Sequence, residues 1–101
     1  MQCRVQEIAP LTHDVMRLRF AIESGGPFDF SAGQFAKLHF EFAPDTVRDY
    51  SMANTPGEPG LEFHVRIMPG GVSARIVECL REGDKVRIDG PFGTSYLRDQ
   101  H

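Results

Sequence analysis

Two short stretches of this chain carry side chains able to do chemistry. Arg48-Asp49-Tyr50-Ser51 sets a permanent cation, an aromatic ring and a hydroxyl within four residues. Pro69-Gly70-Gly71-Val72-Ser73 is a glycine turn that leads into a helix-like segment. The planar fork of Arg48 suits phosphate oxygens. Tyr50 offers a flat face for stacking and a hydroxyl for hydrogen bonding. At a spacing of two, both leave a strand on the same side. Glycines let backbone approach a ligand without a side-chain clash. A helix start adds free N–H groups and the positive end of its dipole, which suits a diphosphate. Together the stretches would hold a flat ring at one end and phosphate at the other, the shape of a flavin nucleotide.

Each stretch also has a plainer reading. Alone, Arg48 to Ser51 reads more simply as a strand with a surface Arg and a packing Tyr. Alone, the glycine turn fits equally well a strand–turn–helix connection that needs Gly for its backbone angles. It lacks the Gly-Lys-Ser/Thr ending of a Walker loop and the Gly-x-Gly-x-x-Gly dinucleotide spacing.

The elements that must position these residues are short. Cys3 to Ile8 reads as a first strand. Val15 to Phe20 is a second, with Met16, Leu18 and Phe20 on one face. Ser24-Gly25-Gly26-Pro27 breaks it. Gln34 to Phe42 is a third, burying Ala36, Leu38, Phe40 and Phe42. Arg48 to Met52 is a fourth. Its charged Asp49 is unfit for burial, so the face with Arg48 and Tyr50 is expected to be exposed or covered by a ligand. The turn-rich loop Asn54-Thr55-Pro56-Gly57-Glu58-Pro59-Gly60 precedes a fifth strand, in which Leu61, Phe63, Val65 and Ile67 alternate with polar residues. Lys85 to Asp89 is a sixth. One helix is expected over Ser73 to Arg81, with Ser73 as N-cap, Gly83 at its C-terminal end and an apolar stripe of Ile76, Val77 and Leu80. Six short strands and one helix predict an all-β fold, a six-stranded antiparallel Greek-key barrel with one short α-helix.

Composition narrows the function. At 101 residues the chain suffices for one domain. It is 41% hydrophobic and 25% charged, ordinary for a soluble globular protein. A net charge of -3 speaks against nucleic acid, and no apolar run approaches a membrane span. Cys3 and Cys79 match no metal spacing, and their usage points to the cytoplasm. Four histidines lack zinc-type spacing, so no metal site is expected.

Four segments, in order along nearly the whole chain, carry a family resemblance: Phe30-Ser31-Ala32-Gly33-Gln34-Phe35, Arg48-Asp49-Tyr50-Ser51, Phe63-His64-Val65-Arg66 through Ser73, and Gly90-Pro91-Phe92-Gly93. They resemble the flavin-binding domain of the ferredoxin–NADP reductase superfamily. The resemblance is greatest to NAD(P)H-dependent reductase components of bacterial ring-hydroxylating oxygenases. The turn is one residue shorter than in many of these relatives.

The resemblance implies FAD as cofactor, with FMN second. Arg48 would bind the flavin phosphates, and Tyr50 would contact the ring and ribityl region. Ser51 would sit near ring atoms N5 and O4, where hydride arrives, as the one catalytic candidate. His64, Val65 and Arg66 would line the pyrimidine side or ribityl chain, mostly through backbone atoms. Gly71, Val72 and Ser73 would serve the diphosphate. The implied activity passes electrons from NAD(P)H through FAD to an iron–sulfur protein or oxygenase component. The superfamily's reductases continue into a nicotinamide-binding domain. Residues 1–101 are therefore expected to form an FAD-binding barrel domain, incomplete as a reductase without it. The contrasting expectation is a non-catalytic β-barrel binding module, since small barrels host many functions.

Overall fold

The computed structural model describes residues 1–24, 29–31, 33–55 and 58–93. Gly25, Gly26 and Pro27 of the second break, Ala32 of the first resembling segment, Pro56 and Gly57 of the long turn, and His101 lie outside the described residues.

Alternating apolar residues form six strands and one helix: β1 (Gln2–Pro10), β2 (Val15–Ser24), β3 (Phe35–His39), β4 (Val47–Ser51), β5 (Leu61–Arg66), α1 (Val72–Cys79) and β6 (Lys85–Phe92). They make one sheet in the order β4-β3-β6-β1-β2-β5. All five pairings are antiparallel. β6 inserts between β1 and β3, so neighbours in the sheet are distant in the chain, as in a Greek key.

The inward faces supply the core: Cys3 and Val5, Leu18 and Phe20, Ala36 and Leu38, Leu61, Phe63 and Val65, Val86 and Ile88. Phe20 and Phe63 meet edge to face, with centroids 5.8 Å apart. Gly60 brings the chain into β5 at φ +77, and any Cβ there would stand 2.6 Å from the carbonyl oxygen of Phe20, so only glycine fits. Both cysteines are free; burial pushes the Cys3 thiol up to about 11, so it stays neutral.

The expected barrel is an open one. β4 and β5 are the two edges of the sheet and share no ladder. Their loop end is stitched: Ala53 N–H donates to the Glu62 carbonyl at 2.7 Å, and Asn54 bonds the backbone of both Gly60 and Glu62. Beyond that stitch no ladder joins the two strands.

Several local expectations are corrected. β3 ends at His39, because a turn closes from the Ala43 N–H to the Phe40 carbonyl. Phe42 is therefore half-buried, stacked on Phe40 at 5.1 Å rather than inserted in the core. The helix begins one residue earlier than expected, with Gly71 as N-cap and no side-chain cap. It ends at Cys79 with Leu80 as C-cap, so Gly83 belongs to the following turn. Its buried stripe is Ser73, Ile76 and Leu80, whereas Val77 is 49% exposed. No helix among the described residues is long and apolar enough to cross a membrane.

Candidate functional site

The site forms where the sheet opens. Directly opposed residues in an antiparallel pair share a face. Arg48 opposes Leu38 and Tyr50 opposes Ala36, and both partners are fully buried. Arg48 and Tyr50 therefore project from the inward face of an edge strand that has no ladder to β5. Val47, Asp49 and Ser51 alternate to the outer face, opposite His39, Lys37 and Phe35.

Tyr50 is half-buried against the core, its ring centroid 6.5 Å from that of Phe63. Burial pushes its hydroxyl pKa up, and the Arg48 charge pulls the other way with less effect. The hydroxyl is thus a neutral donor near neutral pH.

On β5, Leu61, Phe63 and Val65 point inward and Glu62, His64 and Arg66 outward. Past Arg66 the chain turns. Ile67 N–H donates to the Asp14 carbonyl at 2.7 Å, and Gly71 N–H closes a turn on the Met68 carbonyl at 3.1 Å. Gly70 takes φ +78, a conformation that requires glycine. Ser73, nearly buried, accepts a hydrogen bond from Met68 N–H through its hydroxyl oxygen at 2.8 Å, tying the turn to the first turn of α1. That bond replaces the expected N-cap.

These pieces enclose a cleft of about 410 Å³, within the range of small-molecule sites. Arg48, Tyr50, Arg66, Gly71 and Ser73, all expected from sequence, line it together. The other expected residues do not. Ser51 is exposed at the end of β4, on the face opposite Tyr50. His64 is bonded to Glu62 at 2.7 Å. The Val65 side chain is wholly within the core, so it can reach a ligand only through backbone, and that of Val72 is partly buried against the core. Val47 and Met68 also line the cleft, 44% and 55% exposed. No local pattern marked Met68, which joins the site only because the turn folds back on Ser73.

The electrostatics are one-sided. Among the described residues, neither Arg48 nor Arg66 has an ion-pair or hydrogen-bond partner. The carboxylate beside them, Asp49, is held by Lys37 at 3.1 Å. Gly71 gives a second indication. Its φ is not positive, and an added Cβ would make only ordinary contact with its own turn, nearest 3.5 Å from the Met68 carbonyl. The fold tolerates a side chain there, yet the position lines the cleft and carries none. Two cations without partners among the described residues, a tyrosine face and a bare backbone turn make a donor set that fits a phosphorylated aromatic cofactor.

An all-antiparallel open barrel hosts many functions, so the class is read from the cleft and its donors together with what the chain is similar to. The model of the oxidoreductase FAD-binding domain matches residues 2–96, and the chain belongs to that family, whose cofactor is FAD. A ferredoxin–NAD(P)+ reductase component of a naphthalene 1,2-dioxygenase system from Pseudomonas putida is 46% identical over 91 residues, covering 89% of this chain and 26% of the relative. Reductase component 1 of a terephthalate 1,2-dioxygenase from a Comamonas species is 41% identical over 86 residues, covering 84% of this chain and 25% of the relative. Among solved structures, the ferredoxin reductase of carbazole 1,9a-dioxygenase superposes with a TM-score of 0.82 at 32% identity, over 92% of this chain and 28% of that one. Phthalate dioxygenase reductase has the same fold, with a TM-score of 0.82 at 19% identity over 93% of this chain and 30% of that one. The chain thus spans under a third of the length of these relatives.

Proposed function

We propose that this chain is the flavin-binding unit of an NAD(P)H-dependent reductase whose electrons go to an iron–sulfur protein or oxygenase component, in the cytoplasm. The observation that carries the reading is the meeting of two arginines without partners among the described residues, Tyr50 and the glycine turn on one cleft. The similarity to reductase components of dioxygenase systems supports the electron route.

When bound, FAD supplies the exchange between a two-electron nicotinamide donor and one-electron acceptors. The chain's residues bind and orient it. Arg48 neutralises phosphate charge with a fork that donates to two oxygens. Tyr50, fixed from behind by Phe63, presents a ring face and a neutral hydroxyl toward the ring and ribityl region. The turn at Gly71, Val72 and Ser73 offers backbone amides to the diphosphate, and Ser73 holds that turn in shape. His64 and Val65 contribute backbone atoms along β5. Ser51, at the exposed end of β4, is the donor proposed at the ring's reactive edge, where a hydrogen bond would stabilise charge on the reduced ring.

The test is a fluorescence-quenching titration of the purified chain with FAD and FMN, followed by chromatographic identification of retained flavin. FAD retained in preference to FMN is the expected result; a chain that quenches neither flavin is a binding module of another kind. The FAD-loaded 101-residue chain, mixed with NADH or NADPH in stopped flow, should be reduced slowly and without saturation. Orientation of the donor supplies on the order of 7–11 kcal/mol in well-aligned systems, and the residues found here orient only the flavin. Fast, saturable reduction would place a donor site within these residues.

A further inference from the structure

We infer that the Arg66 guanidinium is the group that selects a diphosphate flavin over a monophosphate one, acting with Arg48 across the open seam of the sheet. The inference rests on the flavin reading above and assigns Arg66 a side-chain role in place of a backbone one.

Arg66 differs from the other outward-facing basic groups of its region. On β2, Arg17 is paired with Glu7 at 3.2 Å and Arg19 with Glu62 at 3.7 Å. On β5 itself, His64 is bonded to Glu62. Arg66 stands opposite Val15, which offers no carboxylate, and among the described residues it has no partner. It lines the same cleft as Arg48.

The two arginines come from the two strands that do not pair. The seam is tied at Ala53 and Glu62 and opens toward Arg48 and Arg66. Nothing within the described chain neutralises either charge, because Asp49 is committed to Lys37. Like charges facing one cleft repel, and a ligand with two adjacent anionic groups relieves both at once. A diphosphate carries that pair of groups. A monophosphate can be held by Arg48 and the glycine turn alone, leaving Arg66 idle. Arg66 therefore contributes to the affinity for FAD and little to that for FMN, and the difference resides in charge placement rather than in contacts to the adenine.

The experiment compares wild-type chain, Arg66→Ala and Arg66→Lys by titration with FAD and with FMN. Thermal melts with inorganic pyrophosphate or inorganic phosphate give a readout independent of flavin. In Arg66→Ala, FAD affinity should fall roughly 10- to 100-fold, the worth of a charge-assisted hydrogen bond, while FMN affinity changes by no more than about 3-fold. Arg66→Lys should recover part of the loss. Pyrophosphate should raise the wild-type melting temperature more than phosphate does, and Arg66→Ala should abolish that difference. Equal losses for FAD and FMN would assign Arg66 to the ring or ribityl end and overturn the inference, as would unchanged FAD affinity. In both cases flavin binding itself would stand. A wild-type chain that binds neither flavin yet still distinguishes pyrophosphate from phosphate through Arg66 would sink the flavin reading and keep the anion selectivity. Failure of both readouts overturns both.

Discussion

The outer face of β4-β3-β6 and the cleft at the free edge of β4 meet on one strand, yet they handle charge in opposite ways. On the outer face Lys37 bonds Asp49 at 3.1 Å and lies over the rings of Phe35 and Phe92 at 5.5 and 5.3 Å. Asp89 is shared between His39 at 2.9 Å and Arg87 at 3.1 Å. Burial works against ionisation of Asp89, but hydrogen bonds and charge from Arg87 and His39 outweigh it and hold the carboxyl below the usual range. In the cleft, Arg48 and Arg66 are left without partners among the described residues. A paired surface charge is a solvated part of the scaffold and contributes little to stability. A charge that the fold leaves unpaired beside a bare backbone turn is available to a ligand. Within one small sheet, this contrast separates scaffold from site.

The largest effect should come from removing what both regions stand on. Phe63 is fully buried, meets Phe20 edge to face and backs Tyr50. Phe63→Ala should cost about 3–5 kcal/mol, a large share of the stability of a domain this size. Urea melts would measure it. A cost below about 1 kcal/mol would mean that Tyr50 is not held by the core. Next in size is Arg48→Ala. It should weaken FAD binding by about 1.5–3 kcal/mol without moving the urea midpoint downward, since the side chain has no partner to lose among the described residues. Arg48→Lys should restore only part, the fork being gone. If Arg48→Ala instead lowered stability and left affinity intact, the distinction between scaffold and site charges would collapse.

Sequence reveals these regions to different depths. The strands are legible because alternation is local: Leu61, Phe63 and Val65 declare β5 and its inner face, and Ala36 and Leu38 declare that of β3. Arg48, Tyr50 and the glycine turn are legible as chemistry. Their being on the inward face is not, since that follows from the register of β4 on β3 and from an edge left uncovered. Arg66 reaches the cleft because no ladder joins β5 to β4, a property of the whole sheet. Val77 belongs to the periodic stripe yet is exposed, because periodicity defines a stripe but not which of its margins meets the core. Ser73 has the type of an N-cap, yet the N–H it satisfies is that of Met68, in a turn whose shape no short pattern specifies.

That serine gives a smaller, sharper test. Ser73→Ala removes the acceptor for Met68 N–H and should cost about 1 kcal/mol in a urea melt, the net value of one such hydrogen bond. FAD affinity should fall with it, because the turn that presents Gly71 loosens. Ser73→Thr keeps the hydroxyl and should retain both. Loss of affinity without loss of stability would make the hydroxyl a direct ligand rather than a brace.

The smallest expected effect lies on the boundary between the two regions, at Lys37. Lys37→Met removes an exposed pair to Asp49, whose contribution to stability should be below about 1 kcal/mol and should shrink in high salt. Its influence on the cleft is indirect. Asp49 neighbours Arg48 in sequence and lines the cleft, and Lys37 is the cation that keeps its carboxylate occupied. Once released, that carboxylate adds uncompensated negative charge where phosphate must bind. FAD affinity should therefore drop a few-fold at low ionic strength and recover as salt screens the repulsion over about a Debye length. Adding Asp49→Asn to Lys37→Met removes the freed charge and should restore wild-type affinity, although the surface pair stays broken. If the double variant binds no better than Lys37→Met alone, the outer face acts on the cleft through packing, and the separation of paired from unpaired charge does not explain how the site is kept positive.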